Sequence, residues 1–180
     1  MSQNEFVDKM SEAYQIPNDE IGTAVESEGS ASFDWEKDGI RYRAGTEQGV
    51  VIAGWARNEK LFSPSAQCLV TCWGTPDTYR AFFTLGVPGR SLKFEMLFAQ
   101  KGILADGVKY FGVDQESPPP ISGSFPMDSY NVRTGGTPSE VLKRVYFDGE
   151  VYQTLLEQYK PWSGDWDNIV IDIDPSTLTK

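Results

Sequence analysis

The chain has 180 residues and a formal charge of −10, and 39% of its residues are hydrophobic. This length suits a single domain with a sizeable core, which we place at residues 1–180. Because so acidic a surface repels phosphate backbones and anionic lipid headgroups, we expect neither nucleic acid nor a membrane as a partner. Apolar runs stay well short of the ~20 residues of a bilayer crossing. Residues 1–17 lack the apolar core of a signal peptide, so we expect a cytoplasmic protein.

Histidine is absent from the sequence. Its absence excludes Ser-His-Asp and Cys-His catalysis and any histidine-bearing zinc site, and two cysteines are too few for a structural one. The glycine-rich stretches 45–49 and 134–137 lack the lysine and the strand-loop-helix context of a phosphate loop. We therefore expect no metal and no cofactor, and any catalysis must use carboxylates, tyrosines, lysine or arginine.

The two cysteines, Cys68 and Cys72, lie in "CLVTCW" (68–73), whose alternation predicts a strand. A rise of ~3.3 Å per residue would put their α-carbons roughly 13 Å apart, beyond the ~7 Å limit for a disulfide. We expect free thiols in a reducing compartment. We interpret them as small buried hydrophobes rather than redox or metal-binding groups.

The N-terminal part of the chain predicts a helix and then a connector. Phe6, Val7, Met10 and Tyr14 recur at helical spacing, so residues 4–14 are predicted as a short amphipathic helix. Residues 18–31 are predicted as a polar connector, so that 1–31 precedes the strands.

Residues 33–44, "FDWEKDGIRYRA", predict a two-stranded hairpin around Asp38-Gly39, the strongest short-range hairpin signal. With that pair as the turn, Trp35 faces Tyr42 and Glu36 faces Arg41. One face is then almost entirely aromatic, and the other is charged and expected to be solvated. The aromatic face consists of Phe33, Trp35, Ile40 and Tyr42.

Further strands are predicted at 49–56, 79–87, 91–98, 107–113 and 168–174, with a type II turn at 87–90. The proline-rich stretch 116–137 has no periodicity, so it is predicted as a long loop, either a lid or a loosely ordered surface excursion. Thr137, Pro138 and Glu140 form a capping-box signature that starts a helix, and a second helical stretch presents Val151, Leu155 and Tyr159.

Many short antiparallel strands with few helices are typical of a sandwich or closed barrel. The segments 33–44, 50–60, 69–84 and 92–102 resemble the strand series of the phenolic acid decarboxylases, which are lipocalin-like (calycin) barrels. The resemblance covers roughly residues 32–100, with fainter support to 174. It implies a mainly β protein: a closed antiparallel lipocalin-like barrel with a ligand-sized cavity, a short N-terminal helix and a C-terminal helix before the last strand.

The family's catalytic positions are altered in this sequence. Its two tyrosines fall on Phe33 and Trp35, and its glutamate falls on Thr75. Its Ala-Gly-Arg-Trp arginine is missing from 53–55, and Arg57 follows two residues later. The family's decarboxylation is therefore not carried over to this chain.

In a barrel of about eight strands the aromatic hairpin face would point inward and could enclose one small ligand. The alternative is that these rings simply fill the interior. The candidate ligand-binding residues are Phe33, Trp35, Trp55, Trp73, Thr75 and Phe83.

Three polar residues are the catalytic candidates. Tyr42 is the best-placed proton donor. Glu95 would have a raised pKa and act as general base if it faced apolar walls, but Lys93 and Glu95 are more simply solvated. Arg57 would supply positive charge at the mouth or lie on the surface. The acidic residues 165, 167, 172 and 174 match no calcium loop and are interpreted as a solvated strand end.

These patterns favour a small cofactor-free enzyme of the lyase, isomerase or cyclase type acting on an apolar or aromatic molecule. The alternative is a non-catalytic carrier for the same kind of ligand. A third hypothesis is an acidic protein-interaction module. A homodimer is possible in each case.

Overall fold

A computed structural model describes residues 3–27, 30–47, 50–58, 63–85, 89–133, 135–145 and 149–173. The protein is mainly β, with one ten-stranded mixed sheet. The helices are α1 (Gln3–Tyr14), α2 (Ala66–Trp73), α3 (Pro138–Val145) and α4 (Gly149–Gln158). The strands are β1 (Gly22–Ser27), β2 (Ser30–Lys37), β3 (Ile40–Glu47), β4 (Val50–Asn58), β5 (Thr78–Thr84), β6 (Arg90–Phe98), β7 (Ile103–Phe111), β8 (Ser129–Val132), β9 (Lys160–Pro161) and β10 (Asp172–Ile173).

The strand order is β1-β2-β3-β4-β8-β7-β6-β5-β10, and β9 also pairs with β5. All ladders are antiparallel except the one between β10 and β5. Within the described ranges no ladder joins β1 to β10, so the sheet is open and the closed barrel is not confirmed. The described helices include none long and apolar enough to cross a membrane.

The predicted hairpin is confirmed with its register. β2 and β3 pair Trp35 with Tyr42 and Glu36 with Arg41. Asp38 and Gly39 have φ angles of 54° and 76°, as a type I′ turn requires. The charged face of the hairpin is exposed, as expected.

The strand predicted at 68–73 is wrong, because this segment forms helix α2. The Ser65 hydroxyl oxygen caps the helix by accepting a hydrogen bond from the Cys68 N–H at 3.2 Å, and Gly74, with a φ of 88°, ends it. Leu69, Thr71 and Trp73 alternate with Cys68, Val70 and Cys72 as in a strand. Leu69 and Trp73 are also four residues apart, which suits one helix face equally well. Both thiols are free and exposed, so the prediction that they are buried is also wrong.

Other differences concern short strands. β1 lies within the predicted connector, and β8 lies within the predicted loop 116–137. The last strand covers only Asp172–Ile173, and a 3-10 helix occupies Trp166–Asn168. The predicted turn at 87–90 has its first two residues, 87 and 88, outside the described part. Helices α1, α3 and α4 are confirmed, and the Thr137–Glu140 capping box forms as predicted.

The two faces of the sheet differ in chemistry. Residues directly opposite each other in a ladder point to the same face. One row across the sheet consists of Trp35, Tyr42, Ala56, Tyr130, Ala105, Met96 and Tyr79. The neighbouring row points to the other face and consists of Glu36, Arg41, Arg57, Ser129, Asp106, Glu95 and Arg80.

Helices cover both faces. On the apolar face, α1 packs Phe6 against Phe33 and Trp35, and α2 packs Leu69 into the cluster around Met96. On the polar face, α3 packs its buried residues Val141 and Leu142 against Leu97 and Leu104. Segment 121–127 joins the apolar-face core through Ile121, Phe125 and Met127.

Gly107 on β7 allows segment 121–127 to lie against the sheet. A β-carbon added there would come within 1.9 Å of the Pro126 carbonyl oxygen, whereas one added at Gly112 would meet nothing within 4 Å. We expect Gly107→Ala to destabilise the protein by about 3 kcal/mol, in the range of overpacked sites. Gly112→Ala should change the free energy of unfolding by less than about 0.5 kcal/mol. Urea denaturation measures both, and equal values would contradict the close approach.

Candidate functional site

A cavity of about 350 Å³ opens on the apolar face of the sheet. Residues of α1, α2 and five strands line it. They are Tyr14, Trp35, Tyr42, Arg43, Ala44, Gly54, Ala56, Trp73, Ile103, Tyr130 and Val132.

The cavity lies on the apolar face of the sheet, between helices α1 and α2. Helix α1 covers β2 and β3, and helix α2 covers the strands from β7 to β5. The strand positions between them carry the small residues Ala44, Gly54 and Ala56. A β-carbon added at Gly54 would meet Val132 at an ordinary 3.5 Å. Because these side chains are small, the floor of the cavity lies close to the backbone of the sheet. The helices and the aromatic rings form its walls.

Three rings form the wall nearest α1. Trp35 and Tyr42 stack with their centroids 5.4 Å apart and their planes 9° apart. The centroid of the Tyr14 ring lies 5.4 Å from that of Trp35 in an edge-on contact and 4.9 Å from that of Tyr42 in a tilted one. Tyr14 is held close to these rings because the chain after α1 is tied back, with the Ser11 hydroxyl donating to the Ile16 carbonyl at 2.6 Å. The wall is thus a packed aromatic cluster with one side open to the cavity.

Two rings form the opposite wall. Trp73, at the end of α2, contacts Tyr130 edge-on at 5.5 Å and Phe98 edge-on at 5.4 Å. The Tyr130 hydroxyl donates to the Met127 carbonyl at 2.8 Å, which fixes the orientation of the ring. Both walls therefore consist of rings whose positions are set by neighbouring contacts.

Apart from Arg43, which is exposed, the polar side chains of the lining carry the hydroxyls of three tyrosines and the indole N–H groups of Trp35 and Trp73. Burial, reinforced by Tyr14 and Asp38, raises the pKa of Tyr42. Burial, with Asp128 as the next cause, also raises the pKa of Tyr130. Both phenols therefore keep their protons at neutral pH and act as hydrogen-bond donors. The Trp35 indole nitrogen is buried and has no hydrogen-bond partner among the described residues.

The structure brings three of the predicted site residues together, because Trp35, Tyr42 and Trp73 all line the cavity. Phe33 and Phe83 are fully buried, and Phe33 packs under Phe6 with centroids 4.3 Å apart, so both fill the core. Thr75 is exposed in the turn after α2 and is not in the lining. Trp55 lies in β4 opposite Arg43 and Asn131, and its side chain is outside the described part.

Glu95 lies on the other face of the sheet from Tyr42 and is fully buried, so the expectation that it is solvated is wrong. Arg80 donates to its two oxygens at 2.8 and 2.9 Å, Lys93 lies 2.7 Å away, and the Tyr159 hydroxyl donates at 2.6 Å. Burial alone would raise the pKa of Glu95, but the charges of Lys93 and Arg80 outweigh it and hold the pKa below its usual value. This carboxylate is a structural anion that is closed off from the cavity.

The third catalytic candidate, Arg57, is exposed and sits in the same polar row as Glu95. The sheet therefore separates Tyr42 from both Glu95 and Arg57. The predicted catalytic trio does not form one site.

Asp106 is an ionisable group that the sequence did not single out. Burial raises its pKa to about 6, although Lys93 lies 3.9 Å away and opposes this shift. Its neighbour across the ladder, Ser129, hydrogen-bonds to it. The sequence did not indicate the burial of Asp106, because β8, which carries Ser129, lies in a stretch without strand periodicity.

Two wall residues were also missed. Tyr14 was assigned only to the apolar stripe of a helix, and Tyr130 lay in the predicted loop. Asp165, one of the acidic residues considered for a calcium site, instead accepts from the Asp167 N–H at 3.0 Å and caps a 3-10 turn. Across the described ranges, no group of three or more cysteine, aspartate or glutamate residues could hold a metal ion.

Comparison of the chain with protein-family models, with curated proteins and with solved structures gave no match.

The Glu95 ion cluster makes a stability prediction. Glu95→Gln removes the anion that lies 2.8 Å from Arg80, which is 6% exposed, and 2.7 Å from Lys93, so that Lys93 keeps only the more distant Asp106 at 3.9 Å as a described carboxylate partner. We expect a loss of about 3–5 kcal/mol in the free energy of unfolding. The control is Glu5→Gln, which breaks an exposed Glu5–Lys9 pair on α1 and should cost less than about 1 kcal/mol. If urea denaturation shows similar losses in the free energy of unfolding for Glu95→Gln and Glu5→Gln, the buried Glu95 ion cluster is contradicted.

Asp106 makes a pH prediction. A raised folded-state pKa means that the protonated form is favoured by folding, so its stabilisation is complete below the unfolded pKa and is lost as pH rises through about 6. Asp106→Asn should therefore gain stability relative to the wild type between pH 4 and pH 7, by at most about 3 kcal/mol.

Denaturation at several pH values measures this difference, and Asp19→Asn at an exposed site controls for the loss of one charge. If the difference in the free energy of unfolding between Asp106→Asn and the wild type does not vary with pH, the burial of this carboxylate is contradicted.

Proposed function

We propose that this protein binds a planar, largely apolar aromatic small molecule in the cavity between α1 and α2. The observation that supports it is the convergence of five aromatic side chains around one space of about 350 Å³ with a floor of small residues. Ligand sites in proteins typically measure about 300–1,000 Å³ and combine apolar walls with a few polar groups. The volume suits a molecule of two or three fused rings.

The walls also suit a flat ligand in shape. Aromatic pairs favour offset-stacked or edge-on contact, and the two walls present rings in different orientations. Tyr14 and Tyr42 supply phenol groups at the cavity, which would donate hydrogen bonds to a carbonyl or hydroxyl oxygen of the ligand. We therefore expect the ligand to be an otherwise apolar ring system that carries acceptor oxygens.

Binding without catalysis is the better-supported function. The carboxylate considered as a general base, Glu95, lies on the other face and is held as an anion by Arg80 and Lys93. The raised pKa of Tyr42 makes it a poor base at neutral pH. A cofactor-free lyase, isomerase or cyclase is the second candidate, supported by the position of Tyr42 in the cavity wall.

The resemblance to lipocalin-like barrels is consistent with this proposal, because such barrels hold a ligand against the apolar face of their sheet. The closed barrel that the resemblance implies is kept here as a proposal. A cytoplasmic location fits the two free thiols on α2, since reducing compartments keep cysteines unpaired.

The binding proposal is tested with 1-aminoanthracene, a neutral three-ring probe whose fluorescence rises in apolar surroundings. We expect saturable binding and quenching of tryptophan fluorescence, since Trp35 and Trp73 line the cavity. Ala56→Phe would place a ring on the cavity floor and should weaken binding at least 10-fold. Ala24→Phe, on an exposed position of β1, is the matched control and should bind as the wild type does.

Equal affinity in Ala56→Phe, Ala24→Phe and the wild type would contradict the assigned cavity. Tyr42→Phe separates the two candidate functions. Under the binding proposal it should change probe affinity by less than about 1.5 kcal/mol, the net value of one neutral hydrogen bond. If a ligand turned over by the wild type is no longer converted by Tyr42→Phe, although it still binds, the second candidate replaces the first.

A further inference from the structure

The two cysteines form an arrangement that neither the cavity nor the sheet explains. Cys68 and Cys72 lie four residues apart in α2, and both side chains are exposed free thiols. Side chains at this spacing lie on the same helix face with β-carbons about 5–6 Å apart. In the predicted strand they would have been more than twice as far apart, so this pairing follows only from the helix.

The i, i+4 spacing makes the two thiols neighbours on this face, and the side-chain interaction with Cys72 is the main cause that raises the pKa of Cys68. The pair is not used by the fold: neither sulfur is buried, and the cap at the start of α2 uses the Cys68 backbone N–H instead. The pair is also not shielded by these neighbours, because Thr71, which precedes Cys72, and Gly74, which ends the helix, are exposed as well.

The donor set limits what such a pair can hold. Structural zinc requires four ligands, and the described residues provide no third cysteine, aspartate or glutamate that would complete a cluster here. Magnesium and calcium prefer oxygen ligands. Soft thiolates select soft ions such as Cu(I), which as a filled-shell ion accepts two ligands.

We propose that Cys68 and Cys72 together bind one soft, two-coordinate metal ion, with monovalent copper as the representative. On binding, each thiol loses its proton to solvent and two copper–sulfur bonds form. The copper remains monovalent, and the site changes from neutral to a charge of −1. No oxidant or reductant takes part. This site is independent of the proposed ligand cavity, although both use α2.

The test is anaerobic titration of the full chain with Cu(I) in the presence of bicinchoninate, a coloured competing chelator. The wild type should withdraw one equivalent of copper. Cys68→Ser and Cys72→Ser should each bind more weakly by about 10²–10⁴-fold, because the second thiol acts at a high effective concentration. Thr71→Ala, between the two cysteines on the same helix, keeps both thiols and should match the wild type.

Because both cysteines are exposed, the serine variants should fold, and thermal unfolding checks this. Phenylarsine oxide gives an independent readout, since closing a ring on two thiols releases one water and adds one arsenical per chain by mass spectrometry. The proposal is overturned if the single variants hold copper as tightly as the wild type. It is also overturned if the wild type withdraws none, or if native mass spectrometry shows one copper shared by two chains.

Discussion

The register of the β2–β3 hairpin is the constraint on which the cavity depends. The Asp38-Gly39 turn adopts positive φ at both residues and so pairs Trp35 with Tyr42. A slip of one residue would send both rings to the polar face, because side chains alternate along a strand. The same pairing continues through β4, β8 and β7, so this one turn aligns the aromatic wall with the cavity floor and with Tyr130.

The sheet separates two kinds of chemistry. Its polar face holds a buried ion cluster in which Glu95 is neutralised by Arg80 and Lys93. Its apolar face holds two packed clusters, one under each helix, and the cavity is the space between them. The buried charges therefore lie where they stabilise the fold, and the cavity is lined mainly by aromatic rings and small residues, with Arg43 as the charged residue of its lining. This division favours recognition of a flat apolar molecule over proton transfer.

Local signals in the sequence were sufficient for some features and not for others. The Asp38-Gly39 turn and the Thr137–Glu140 capping box act over a few residues, and both form as predicted. Helix α2 was missed because Leu69 and Trp73 fit either period, and tertiary packing decides between them. Tyr130 and the burial of Glu95 depend on contacts between distant segments, for which one sequence gives no periodic signal. The cavity itself required the positions of α1 and α2 on the same face.

We propose that the space between α1 and α2 holds a small aromatic molecule. The decisive experiment is native mass spectrometry of the purified protein, as expressed, followed by extraction under denaturing conditions. We expect a retained aromatic molecule that is carried by the wild type and by Ala24→Phe and is absent from Ala56→Phe. A retained molecule of the same mass in all three proteins would show that it binds outside this cavity and would contradict the proposed site.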